Sequence, residues 1–200
     1  MNFLAHFYLA EPNGEHISGG LLGDFVKGPL TGKYPAGIED GIRLHRHIDR
    51  ITDAHPNQKL IRKSLPKKYS RYSNIIADVL CDHTLSNHWS DLHDQNIASF
   101  SAFCYTELTR YEHLFPERAQ RILERMGTGN WLCRYHETDF IFSVLSRIGS
   151  RIRFENPLHL CQDVLPPLIA EFDPLCLEIL HDTKLTVQKW HAEHHRGTTK

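Results

Sequence analysis

An all-α fold, a single-domain helical bundle over residues 1–200, is what the sequence predicts, and three observations predict it. Apolar residues recur three and four positions apart along nearly the whole chain, the period of a helix that buries one face. Alternating runs of β-branched residues, which would announce strands, are missing. Glycine and proline punctuate the pattern at Gly28-Pro29, at 32–35 and at 127–130, where turns belong. With 40% hydrophobic and 24% charged residues, 200 residues supply one core and exclude a disordered or fibrous chain.

The helical patterns follow in order over residues 2–9, 18–26, 36–55, 73–89, 97–114, 117–126 and 137–148. A long last pattern, 158–190, contains Pro166-Pro167 and Pro174, and the expectation is that it breaks there. Proline removes a helix donor and clashes with the preceding turn. Beyond about residue 190 a polar end with His191, His194 and His195 is expected to fray, with adventitious metal binding as its other reading.

Composition narrows the function classes. No apolar run approaches the roughly 18–20 residues of a membrane span, so no membrane is expected. A net charge of −1 gives no global field toward nucleic acid. Five cysteines stand far apart without a C-x-x-C pair, which reads as reduced thiols in a cytoplasmic protein. The first ten residues lack the basic flank of a signal peptide. No nucleophile elbow, P-loop or dinucleotide glycine pattern is present.

Fifteen histidines raise the question of a site. His45 and Asp49 lie one helical turn apart, with Ile42, Ile48 and Thr52 on the same side and Glu39, Arg43, His47 and Arg50 expected to point away. Asp78 and Asp82 repeat the spacing on a face shared with Ile75, Leu85 and Trp89. Polar groups on a buried stripe must be satisfied, and two acids there repel unless protonated or bridged by a cation. With Asp24, behind a glycine-rich segment, these residues suggest a mixed nitrogen and oxygen site suited to Mn²⁺, Fe²⁺ or Mg²⁺. The alternative is structural: His45 pairs with Asp49, while Asp78 and Asp82 bind backbone or arginine groups. The His-Asp dipeptides at 93–94 and 181–182 read as incidental.

Charge is uneven despite the near-zero total. Lys59, Arg62, Lys63, Lys67, Lys68 and Arg71 occur in one stretch without an acid, and Arg147, Arg151 and Arg153 form a second cluster. Such runs are either solvated helix faces and loops or landing patches for an anionic partner. Tyr69 and Tyr72 interleave with the first run, a weak signal for RNA.

Several motifs in order carry a family resemblance. Met1-Asn2-Phe3-Leu4-Ala5-His6 opens the chain, followed by Gly23-Asp24-Phe25-Val26-Lys27-Gly28. His45-Arg46-x-Ile48-Asp49-x-x-Thr52-Asp53 and Asp82-His83-x-Leu85-x-x-x-Trp89 come next, then Trp131-Leu132-x-Arg134-Tyr135 and Asp139-Phe140-Ile141. The chain resembles the acyl carrier protein phosphodiesterases over nearly its whole length. The resemblance implies a helical fold distantly like the HD phosphohydrolases, although Asp82-His83 reverses the HD order. It implies a divalent metal, often Mn²⁺, and hydrolysis of the phosphodiester between 4′-phosphopantetheine and a carrier serine. On that reading Asp24, His45, Asp49 and Asp82 hold the ion, with Asp78 as a further ligand or support. His83, or else His6, would protonate the leaving serine oxygen, and Arg46 and Lys27 would offset phosphoryl charge. Acyl carrier proteins are strongly acidic, so both basic clusters become docking candidates. Two other readings stand beside it. One is a metal phosphohydrolase of nucleotides or small diesters, the other a non-catalytic helical module that binds an acidic protein.

Overall fold

The structure is a computed structural model that describes residues 1–195, and no strand occurs among the described residues. Two short helices lead into a long third one. α1 (Phe3–Leu9) starts at Asn2, whose side chain accepts from the Phe3 amide, and α2 (Gly14–Leu22) starts at Asn13, which accepts from His16. Both are Asx caps that satisfy a donor the first turn leaves open. α3 (Ala36–Ala54) crosses α2 at very close range. A β carbon at Gly19 would sit 2.5 Å from the Gly41 Cα, so glycine at both positions is what lets the backbones meet.

α4 (Pro56–Ser64) and a 3₁₀ turn (Lys67–Tyr72) lead into α5 (Ser73–Asn87). α5 is buried almost all round and packs against α1, α4 and the later helices, which makes it the axis of the bundle. α6 (Trp89–Leu92) and α10 (Thr138–Gly149) pack on that axis, α7 (Ile97–Tyr111) packs on α2, and α8 (Glu117–Thr128) and α9 (Trp131–Arg134) pack on α7. α8 buries Ala119, Ile122, Leu123 and Met126 and leaves Arg118, Arg121 and Arg125 exposed. A 3₁₀ turn (Leu158–Asp163) precedes α11 (Pro166–His195). Buried apolar side chains from Met1 to Val187 form one continuous core. The all-α expectation holds.

Local expectations need correction in five places. α2 begins at Gly14 and ends at Leu22, so Asp24 sits in the turn that follows. The 56–64 segment, which lies between two of the expected helical patterns, is itself a regular helix; Pro56 opens it and Ile61 anchors it. Pro166 and Pro167 occupy the first turn of α11, where a missing amide costs little, but α11 runs through Pro174 unbroken. There Phe172 and Cys176 are buried on either side, and the Asp173 carboxylate accepts from Thr84 and lies 2.9 Å from His88 Nε2, so packing on α5 outweighs the lost donor. Glu39 is buried instead of pointing away, because it accepts from the Gly32 amide and Arg43 and folds the 28–35 loop onto α3. Finally, α11 continues past residue 190, with Trp190 and His194 stacked 3.9 Å apart and His191 3.3 Å from Glu11; residues beyond His195 lie outside the described ones.

Candidate metal centre and its cavity

α1 and α3 bring three polar side chains to one point. His6, His45 and Asp49 each offer a ligand atom within 4.8 Å of the others. The two imidazoles stack face to face, centroids 3.8 Å apart and planes 11° off parallel. His45 Nδ1 donates to the Gly20 carbonyl at 2.8 Å, which directs the Nε2 lone pair outward. That nitrogen faces Asp49 Oδ2 at 3.3 Å and Asp24 Oδ1 at 3.9 Å. His6 Nε2 lies 3.1 Å from both Asp49 Oδ1 and the Met1 carbonyl, and His6 Nδ1 is buried with no partner. Gly23 makes the arrangement possible, since any β carbon there would collide with the His45 ring.

Electrostatics keep the cluster anionic and ready for a cation. Burial, and after it the charge of His45, holds His6 neutral with its pKa lowered to about 3. Burial works against the Asp49 charge, but its contacts with the His45 and His6 rings and the Met1 ammonium outweigh it and hold that carboxyl well below the usual range. A backbone-anchored imidazole facing two carboxylates is a ligand arrangement for an intermediate divalent ion. An orphaned imidazole nitrogen beside it adds to the fit.

The acids of α5 are placed differently. Asp78 Oδ1 pairs with the Met1 ammonium at 2.7 Å, and that ammonium is 3.6 Å from Asp49. Asp78 therefore borders the cluster through an intervening cation; burial raises its pKa against the pull of the ammonium. Asp82 is fully buried and accepts from the amides of Leu4 (2.8 Å), Asn2 (3.1 Å) and Ala5 (3.3 Å). Its two oxygens close the N-terminus of α1, and it stands outside the three-residue cluster. His83, next along, donates from Nδ1 to the Tyr135 carbonyl at 2.7 Å and accepts from Asn87 at 3.0 Å on Nε2. Both its nitrogens are engaged, so it ties α5 to the 131–135 segment and has no free proton to give. Arg46 donates to the carbonyls of Val26 (2.8 Å) and Gly28 (2.9 Å), clamping the turn that carries Asp24, and Lys27 is exposed on that turn.

A cavity of about 350 Å³ adjoins the cluster, with Asp24 and Asp78 in its wall. Phe3, Phe25, Ile75, Val79, Trp131, Val144 and Ile148 make most of the rest apolar, and Arg118, Arg147 and Arg151 complete it. Of these, Arg147 and Arg151 were named from the sequence. Arg118 was missed, because α8 reads simply as an amphipathic helix with a charged outer face. The role of Gly23 as clearance for His45 was missed too; the motif containing it was visible, but the ring it admits lies 22 residues away. The lysine-rich run lies elsewhere: Lys59, Arg62, Lys63 and Lys67 line a shallow depression of their own, Lys68 and Arg71 are exposed, and none of them borders this cavity. Arg153 is exposed on the loop after α10.

Fold and site together define an all-α protein with a candidate divalent-metal centre opening on an arginine-lined cavity. The family model for acyl carrier protein phosphodiesterase matches residues 1–183. Curated relatives named acyl carrier protein phosphodiesterase align over 152 residues, 76% of this chain and 79% of theirs. Those from Enterobacter sp. (strain 638) and Pectobacterium atrosepticum are 38% identical to it, and one from Escherichia coli O6:H1 is 36% identical. The chain belongs to the acyl carrier protein phosphodiesterase family. No solved structure matches it. No described helix is long and apolar enough to cross a membrane.

Proposed function

We propose that the protein hydrolyses the phosphodiester joining 4′-phosphopantetheine to the serine of a holo-acyl carrier protein, releasing apo-carrier and phosphopantetheine. One observation carries the reading: a single cavity of about 350 Å³ combines an apolar wall, the Asp24 carboxylate of the metal centre with Asp78 beside it, and three arginines. The prosthetic arm needs the first, the reacting phosphate the other two. Phosphate cannot approach Asp24, Asp49 and Asp78 unless positive charge intervenes. His45, Asp49, His6 and Asp24 would hold the divalent ion, Mn²⁺ in first place, with Mg²⁺ and Fe²⁺ as alternatives. When bound, that ion supplies a water of lowered pKa and a Lewis acid for a phosphoryl oxygen.

The remaining side chains position and neutralise. Gly20 fixes the His45 tautomer, and Asp49 stays ionised between two imidazoles. Asp82 sets the N-terminal end of α1, and with it the approach of His6 to His45. Arg118, Arg147 and Arg151 offset charge on the phosphodiester, while Arg46 holds Asp24 within reach. The reading places the protein in the cytoplasm, where its five free thiols persist.

The test is mass spectrometry of a holo-acyl carrier protein incubated with the protein and Mn²⁺, beside a chelator control. Metal-dependent loss of the phosphopantetheine mass is expected. A holo-carrier that stays intact with Mn²⁺, Mg²⁺ and Fe²⁺ would overturn the reading and turn the search to nucleotides and small diesters.

A further inference from the structure

The arginines at the cavity do not stop at its rim. Arg125 joins Arg147 and Arg151 around a neighbouring depression, and Arg118 and Arg151 meet Arg125 again around a third. Among the described residues, none of these four forms an ion pair with a carboxylate, whereas Arg121 beside them is paired with Glu117. Burial, with the like charges of Arg118, Arg125 and Arg147, lowers the pKa of Arg151. The fold therefore holds four cations together at a cost in mutual repulsion, which Asp24 across the cavity relieves for Arg151 only in part and without an ion pair. Three residues beyond Arg151, the loop after α10 presents Phe154, which at 67% is the most exposed large apolar side chain among the described residues.

We infer that this face, Arg118 and Arg125 of α8 with Arg147, Arg151 and Phe154, is the docking surface for the acidic carrier protein, and that the lysine-rich run at 59–71 is not. The inference rests on the proposed substrate, which makes the partner an acidic protein and not a bare anion. Three features favour it. The face surrounds a cavity that reaches the metal centre, so a carrier seated there can deliver its arm without crossing the molecule. Its cations have no carboxylate in an ion pair, Arg147 resting instead on the Trp131 ring, so docking adds acidic partners without breaking existing pairs. An exposed aromatic close to arginines in the chain is the composition of an interface hot spot, whereas the lysine-rich run exposes only the aliphatic Leu60.

The experiment separates docking from hydrolysis by using a carrier that lacks its arm, with binding read by fluorescence anisotropy. Arg118→Glu with Arg125→Glu should weaken binding about tenfold or more and flatten its salt dependence. Phe154→Ser should weaken it about fivefold with the salt dependence kept, a readout that lost folding would not mimic. Lys63→Glu with Lys67→Glu should stay within about twofold of wild type. Unchanged binding in the arginine pair, a larger loss in the lysine pair, or displacement of the carrier by RNA of equal charge would overturn the inference. If the unmutated protein binds the carrier yet leaves a holo-carrier intact, the proposed reaction fails while the docking face stands.

Discussion

α3 and α5 each carry two polar groups one turn apart on an otherwise apolar face, and the structure uses them in opposite ways. On α3, His45 spends one nitrogen on Gly20 and turns the other, with Asp49, toward His6 and Asp24. On α5, Asp82 spends both oxygens on the amides of Asn2, Leu4 and Ala5, and Asp78 is taken by the Met1 ammonium. Equal spacing does not make equal chemistry. What differs is the neighbour: α3 faces a turn opened by Gly23, while α5 faces the end of a helix whose donors need an acceptor.

The largest test of this contrast exchanges one acid on each helix. Asp49→Asn should lose the bound ion and about 100-fold or more of carrier hydrolysis, because a ligand is removed while the fold has little stake in a half-exposed side chain. Metal analysis and circular dichroism melts read the two effects. Asp82→Ala should do the reverse, lowering stability by about 3 kcal/mol as buried amides lose their acceptor. Whatever remains folded should still take up metal. Equal loss of metal in both variants, with both folds intact, would return Asp82 to the ligand set.

The contrast also marks how far the residues alone could carry the reading. Helical period reports which face of a helix is buried, so the all-α fold and the burial of His45 and Asp82 were legible. Period says nothing about which helix lies opposite. His6 was therefore named only as a member of the opening motif and as the alternative acid, and its stacking on His45 waits on the approach of α1 to α3. Asp82 illustrates the same limit: an acceptor for backbone was one of two sequence readings, and the choice depended on where the α1 amides end up. Pro174 shows local rules yielding to packing, since the contacts around Phe172 and Asp173 hold the helix through it. Arg118 and Arg125 were hidden by their ordinariness on a charged outer face.

Titration sharpens the comparison in the metal-free protein. His6 is held neutral with a pKa near 3 against an ordinary 6.5, so the unfolded chain takes up the proton first and its contribution to stability falls as pH drops through that window. Asp82 is pushed up to about 7 from 3.8 by burial, against the pull of the ammonium and three amides. The folded state then holds the proton longer, and its contribution to stability falls as pH rises from 3.8 to 7. The two oppose each other between about pH 4 and 6.5, each by up to about 1.4 kcal/mol per pH unit. Difference curves from denaturant melts in chelator should show it. Relative to wild type, His6→Asn should gain stability on acidification, and Asp82→Asn should lose it. Parallel curves for both variants would mean that neither group keeps its unusual protonation state in the fold.

The smallest expected effect falls on the turn that completes the α3 side. Arg46 makes two hydrogen bonds to backbone carbonyls at Val26 and Gly28, and the Asp24 carboxylate it steadies stands 3.9 Å from His45 Nε2. Arg46→Met keeps the aliphatic stem and removes the clamp, which should cost about 1 kcal/mol of stability. Metal affinity should weaken by about tenfold as Asp24 is loosened. At saturating metal, turnover should return close to wild type, because the clamp positions a ligand and does not touch the phosphate. Turnover that stays depressed at saturating metal, with affinity unchanged, would instead put the guanidinium on the substrate. Arg46 would then act in the reaction itself, and the difference between α3 and α5 would reach beyond metal binding to the charge that builds on the phosphoryl oxygens.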